Sequence, residues 1–180
     1  MKYFLGLVLI QFAGILYAAP SSAQQYTPVD AGSSVGFSIK NFGFTVTGSV
    51  TGLQGRVVFD PNDLPHANFD VSVDAATINT DNEMRDGHLK KEDYFDVAHY
   101  PRIRFVSTGV SAGKGGYQVT GKLTIKDKTQ DVLFPFVATP LGNDYIFKGS
   151  FMISRKDFDI GGSSTISNNL TVSLTVFAKK

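Results

Sequence analysis

The chain has 180 residues and a formal net charge of +1, with 17 Lys and Arg against 16 Asp and Glu. That balance lacks the broad basic field of a non-specific nucleic-acid binder, and the absence of Cys removes disulfides, thiolate zinc sites, a cysteine nucleophile and a lipid-modified Cys. With 42% hydrophobic residues, only 18% charged ones and 15 Phe, the sequence carries one sizeable core and does not have the composition of a disordered chain.

The first element reads as an export signal. Met1-Lys2 precedes an apolar run from Tyr3 to Ala19, broken by Gln11, and small residues follow through Ala23. A positive start, an apolar centre and a small-x-small site predict a signal peptide over residues 1–23, cleaved after Ala23. Residues 24–180 form the expected single domain. Losing Lys2 leaves it with equal numbers of basic and acidic residues. No later stretch is long and apolar enough to span a bilayer, so no stable membrane insertion is expected after cleavage, and the expected location is the periplasm.

From residue 34 onward the apolar pattern has a period of two, which predicts strands. Val35, Phe37 and Ile39 alternate with polar or small residues, followed by Phe44 and Val46, then Val57 and Phe59. Phe69, Val71 and Val73 come next, and Ile103 and Phe105 lie beyond a break. Tyr117 to Ile125 reads as one strand with Gly121 in phase. Val132 to Val137 is apolar on both phases, which predicts a strand covered on both faces, and Pro135 marks an edge or bulge. Phe147, Phe151 and Ile153 form another strand, and Leu170 to Val176 the last. Turn residues separate these runs, as in Asn41-Phe42-Gly43 and Asp60-Pro61-Asn62-Asp63. About eight such strands predict an all-β fold, an antiparallel barrel or sandwich. The segment Asn82 to Phe95 breaks the pattern and reads as a short helical insertion. Thr80 or Asp81 is its expected cap, and Met84, His88, Leu89 and Tyr94 or Phe95 its apolar face.

Catalytic and metal motifs are weak. Gly32-Ser33-Ser34-Val35-Gly36 has the form of a nucleophile elbow, yet it leads into a strand, not from a strand into a helix. Asp157-Phe158-Asp159-Ile160-Gly161-Gly162 resembles the start of a calcium loop, but Asn168 stands where the bidentate Glu belongs. The histidines His66, His88 and His99 have no ligand spacing, so no metal and no catalytic residue is assigned. Arg85-Asp86-Gly87-His88-Leu89-Lys90-Lys91 gathers charge in the one non-strand element. It fits either an anionic head-group site or a staple that ties the insertion to the barrel.

Thr80, Arg85-Asp86, His88-Leu89, Phe95-Asp96, Pro101, Ile103 and Phe105 together resemble the signature of the YceI-like periplasmic lipid-binding proteins. Val119 to Lys126 and Ile153 to Gly161 resemble two further strands of that family, and the resemblance covers residues 25–178. Asn41 stands where the family often has His, and Asp127 where Gly is common. The resemblance implies an extended lipocalin-like antiparallel barrel whose interior holds a polyisoprenoid or another long amphiphile. It brings no enzyme activity and no cofactor other than a lipid ligand. The expected lining residues are Phe37, Phe44, Phe105, Leu123, Phe134, Phe136, Phe151 and Phe158, with Asn41, Arg85 and His88 at the head group. No nucleic-acid partner is expected, and a homodimer is compatible with the reading. The competing classes are a hydrolase at the barrel mouth and an adhesion or stress-interaction module with a solid core.

Overall fold

The structure, a computed structural model, describes residues 24–162 and 165–180; the predicted signal peptide lies outside them. Eight strands follow in order: β1 (Gln25–Asn41), β2 (Phe44–Val58), β3 (Asn68–Asn79), β4 (Arg102–Gly113), β5 (Gly116–Ile125), β6 (Lys128–Leu141), β7 (Asp144–Ser154) and β8 (Ile166–Lys179). Each pairs antiparallel with the next, and β8 pairs with β1, so the sheet closes into a barrel. Closure removes the sheet edges that a half-apolar sheet would otherwise expose. A short helix, α1 (Glu83–Leu89), joins β3 to β4.

An up-and-down meander places alternate connections at opposite ends. The β1–β2, β3–β4, β5–β6 and β7–β8 connections, with α1, form one end, called here the helix end. The other three connections lie with Gln24 and Lys180 at the terminal end.

Three expectations need correction. The apolar run Phe44–Val46 and Val57 belong to a single strand, β2, with Phe59 just beyond its end, and the strand's period is broken by Gly52 and Gly55 at φ of 76° and 126°. The β2–β3 register shifts between Thr51 and Gln54, around Gly52, and a Cβ at Gly55 just beyond would lie 2.1 Å from the Asp70 carbonyl oxygen, so the close approach of the two backbones there requires glycine. Strand β6 is not covered on both faces: Phe134 and Phe136 point inward, whereas Leu133 is 59% exposed. Pro135 does mark an irregularity, because the β6–β7 ladder stops at the Phe136–Gly149 pair beside it. The third correction concerns α1. Its cap is Asn82, whose side chain accepts from the Arg85 N–H at 2.9 Å, and Met84 and His88 are exposed instead of buried.

The terminal end is packed solid by aromatic rings. Phe59 meets Tyr117, Tyr145 and Phe147 edge-on, with ring centroids 5.2, 5.4 and 5.4 Å apart. Phe69 and Phe136 stand 5.5 Å apart in the same cluster, and Tyr26 closes it against Tyr145. Perpendicular contacts of this kind pair ring edges with ring faces. The Tyr26 hydroxyl keeps a partner by donating to Gln24 Oε1 at 2.7 Å. Burial, followed by the charges of neighbouring tyrosines and Asp60, raises the pKa of both Tyr26 and Tyr145 above the usual tyrosine value.

Candidate functional site

The helix-end half of the barrel is hollow. A cavity of about 250 Å³ runs between the inner faces of β1, β2 and β8 on one side and β4 to β7 on the other. Along β8 it reaches from Ile166 to Val176, about 33 Å of strand at ~3.3 Å per residue. Its walls are aliphatic and aromatic side chains: Val35, Phe37 and Ile39 of β1, Leu170, Val172 and Leu174 of β8, and Phe105, Leu123, Phe134 and Phe151 opposite. The cavity-wall residues Val35, Phe37, Ile39, Leu170, Val172 and Leu174 are only half-buried, although they point into the barrel. Space inside the barrel leaves them uncovered.

Two glycines keep the space open. Gly48 of β2 lies directly across from Phe37, and a Cβ there would come within 2.3 Å of the Phe37 ring. A Cβ at Gly121 of β5 would come within 2.5 Å of the Phe105 ring. The missing side chains give both rings a recess in the wall, so they lie against the sheet and do not cross the lumen. Phe134 and Phe151 stack on each other at 4.4 Å and 14°, flattening the wall where the β6–β7 ladder has ended.

The helical insertion forms part of the roof, with Leu89, Tyr94 and Phe95 facing the cavity. A polar staple holds it down. Arg85 Nε donates to Thr80 Oγ1 and its Nη2 to the Thr80 carbonyl, both at 2.7 Å. The Thr80 N–H and hydroxyl donate in turn to Asp86 Oδ1. Thr80 is buried, so this exchange satisfies groups that would otherwise be costly inside. At the base of the β7–β8 connection, the buried Arg155 donates to the carbonyls of Ile160, Gly161, Gly162 and Ser167.

The expected lining residues divide into two groups. Phe37, Phe105, Leu123, Phe134 and Phe151 face the cavity. Phe44, Phe136 and Phe158 do not. Phe44 is 77% exposed, because β2 pairs with β3 only from Ser49 onward and the hairpin tip projects beyond the opposite wall. Phe136, 6% exposed, belongs to the aromatic plug at the terminal end. Phe158, 1% exposed, lies in a 3-10 turn at Arg155–Phe158 and packs with Leu123, Ile125 and Ile160 as solid core. Of the head-group candidates, Asn41 and Arg85 reach the cavity; His88 is exposed outside it, its ring edge-on to Tyr94. The aliphatic residues of β1 and β8, and Leu89 and Phe95 of the insertion, were not among the expected lining residues. The phase of β1 and β8 contains that information for the strands, whereas nothing local marks the insertion as a roof.

The remaining motifs have structural roles. Ser33 donates to the Val29 carbonyl and accepts from the Phe177 N–H at 2.8 Å, bracing the β1 bulge against β8. In the calcium-like segment, Arg155 and Lys156 donate to the Gly161 and Gly162 carbonyls, and Lys128 pairs with Asp159 at 3.4 Å. Side-chain cations therefore occupy the Gly161 and Gly162 carbonyls and one Asp159 carboxylate oxygen. His66 and His99 each face their own aspartate, Asp63 and Asp96.

Comparison with known proteins fits this architecture. The YceI-like domain model matches residues 26–178. A UPF0312 protein of Pseudomonas syringae is 30% identical over 149 residues, covering 78% of each chain. The crystal structure of Burkholderia cenocepacia BcnA superposes with a TM-score of 0.78 at 27% identity, over 83% of this chain and 98% of that one. A polyisoprenoid binding domain from Saccharophagus degradans has the same fold, with a TM-score of 0.67 at 13% identity over 86% of this chain and 97% of that one. The closed barrel and a family match running from β1 to the end of β8 lead to one assignment: the chain belongs to the YceI-like domain family.

Proposed function

We propose that this protein is an exported, non-enzymatic carrier that holds one long apolar chain, of polyisoprenoid type, in the helix-end cavity. The observation that carries the reading is the shape and chemistry of the cavity. It runs along the strands and is walled mainly by aliphatic and aromatic side chains, with Asn41, Thr80, Arg85 and Arg155 among its few polar lining residues at the helix end. An apolar tail buried there leaves water at roughly 0.8 kcal/mol per methylene, and a polar head stays at the mouth. The polyisoprenoid binding domain of Saccharophagus degradans, built on the same fold, supports the choice of ligand class. The hollow helix end favours this reading over the solid-core module considered above. The periplasm is the proposed site of action, reached through the signal sequence at residues 1–23. Organic extraction of protein purified from its native cells, followed by mass spectrometry, tests the reading. A stoichiometric prenyl or comparable long-chain lipid is expected. Protein that carries no lipid and binds neither isoprenoids nor fatty acids in solution overturns it.

A further inference from the structure

The cavity mouth carries apolar groups that the fold does not use. Phe42 is 72% exposed, Phe44 is 77% exposed and Met84 is 88% exposed. Each adjoins a residue that lines the cavity: Phe42 follows Asn41, Phe44 stands across the turn from it, and Met84 precedes Arg85. The hairpin tip is also tied to the β7–β8 connection. The Phe42 N–H donates to the Thr165 carbonyl at 3.4 Å, and the Thr165 hydroxyl donates to Asn41 Oδ1 at 3.3 Å. Hairpin tip and connection are thus joined, and the helix borders the same cavity through Arg85.

The hairpin turn is unusual in its chemistry. Phe42 and Gly43 have φ of 50° and 83°, the two positive values of a type I′ turn. Asn, Asp or Gly suits the first of these positions, whereas a bulky side chain is strained there. Turn formation therefore does not account for Phe42. Nor does packing, since neither Phe42 nor Phe44 stacks on an aromatic ring among the described residues, and both rings face water. A strained, solvated aromatic beside a second one suggests a surface that is covered at some stage of the protein's work.

The charges at the rim narrow the choice of cover. Lys40 donates to Thr45 Oγ1, and Lys90 and Lys91 end the helix; none of the three joins an ion pair among the described residues. Asp81 and Glu83 are exposed at the same rim, while Asp86 is engaged by Thr80. Apolar tips set among near-balanced charges suit the interfacial zone of a bilayer, where rings sink to the acyl boundary and lysines meet phosphates.

We infer that the rim formed by Phe42, Phe44 and Met84 docks the open end of the barrel on a lipid bilayer, so that an apolar chain passes between membrane and cavity without crossing water. The protein touches the bilayer and does not span it; among the described residues no helix is long and apolar enough to do so. Docking at this end continues the cavity wall into the membrane through Asn41 and Arg85. The inference rests on the carrier reading above, and its test separates the two.

The experiment uses the mature chain, a dansyl-labelled geranylgeranyl alcohol and phosphatidylcholine vesicles with or without phosphatidylglycerol. Cavity affinity is measured first without vesicles, then flotation of ligand-free protein with vesicles, then transfer of the probe to vesicles at increasing vesicle concentration. The variants are Phe42→Asn with Phe44→Thr, which suits the turn and keeps the strand, and Met84→Gln. Wild-type protein is expected to float with both vesicle types and to transfer at a rate proportional to vesicle concentration. The double variant is expected to keep its cavity affinity but lose at least about tenfold in flotation and transfer rate, the latter becoming independent of vesicle concentration. Met84→Gln gives a smaller loss of the same kind. Wild-type transfer that ignores vesicle concentration, or a folded double variant that transfers normally, overturns the inference. So does a rim that proves to bind a second copy, seen as dimerisation lost in the double variant without a change in flotation. Absent cavity binding with intact flotation overturns the carrier reading and leaves the docking surface standing.

Discussion

The two ends of this barrel use the same residue type to opposite effect. At the terminal end Phe59, Phe69, Phe136 and Phe147 point at one another and, with Tyr26, Tyr117 and Tyr145, fill the lumen. At the helix end Phe37 and Phe105 lie back into recesses left by Gly48 and Gly121, and the lumen stays open. Hydrophobicity is similar at both ends. What differs is that Phe59 gathers rings from several strands around itself, whereas Phe37 and Phe105 have a glycine beneath them. A packed end supplies stability, and an unfilled end costs some of it, because the cavity lining forgoes its contacts.

The largest expected contrast is in stability. Phe59→Ala removes the centre of the aromatic plug and is expected to cost about 3–5 kcal/mol, read as a loss in urea midpoint. Phe37→Ala, at a half-buried ring facing empty space, is expected to cost less than about 2 kcal/mol. Equal costs would show that the two ends are packed alike. Gly48→Ala comes next. Its new Cβ, 2.3 Å from the Phe37 ring, must drive that ring into the cavity. A loss of about 1–3 kcal/mol is expected, with at least a tenfold fall in isoprenoid affinity measured by fluorescence titration.

The smallest effect comes from pH. Burial raises the pKa of Tyr26 and Tyr145, so the folded state holds these protons more tightly than the unfolded chain does. Their contribution is complete below the unfolded value of about 10 and is lost as pH rises through the folded values. Unfolding measured between about pH 9 and 12 should show a steeper alkaline loss for wild type than for Tyr26→Phe. The variant should itself be weaker by about 1 kcal/mol at pH 7, because the hydrogen bond to Gln24 is gone.

The barrel was legible because period two survives along most strands, and turn residues separate them. The lumen was less legible, for reasons that particular residues make plain. Phe44 and Val46 are in phase, yet only Val46 reaches the cavity, because the hairpin outruns β3. Phe134 and Phe136 are also in phase, yet one lines the space and the other plugs the end, a distinction of height along the axis that alternation does not encode. Leu133 on the outer phase of β6 made that strand look buried on both sides, although the outer face of a barrel tolerates scattered apolar residues. The Arg85-Asp86 pair allowed two readings from sequence. Its hydrogen bonds to Thr80 realise the staple, and Arg85 still reaches the mouth.

The central claim is that the helix-end hollow, and not the aromatic end or the outer wall, receives the apolar chain. Val172 of β8 stands between Phe37 and Phe151 on the cavity wall, whereas Val137 of β6 faces outward. Equilibrium titration of a geranylgeranyl alcohol into Val172→Phe and Val137→Phe tests the claim most directly. The account predicts that Val172→Phe abolishes binding while remaining folded, and that Val137→Phe binds like wild type. Undiminished binding by a folded Val172→Phe would contradict it.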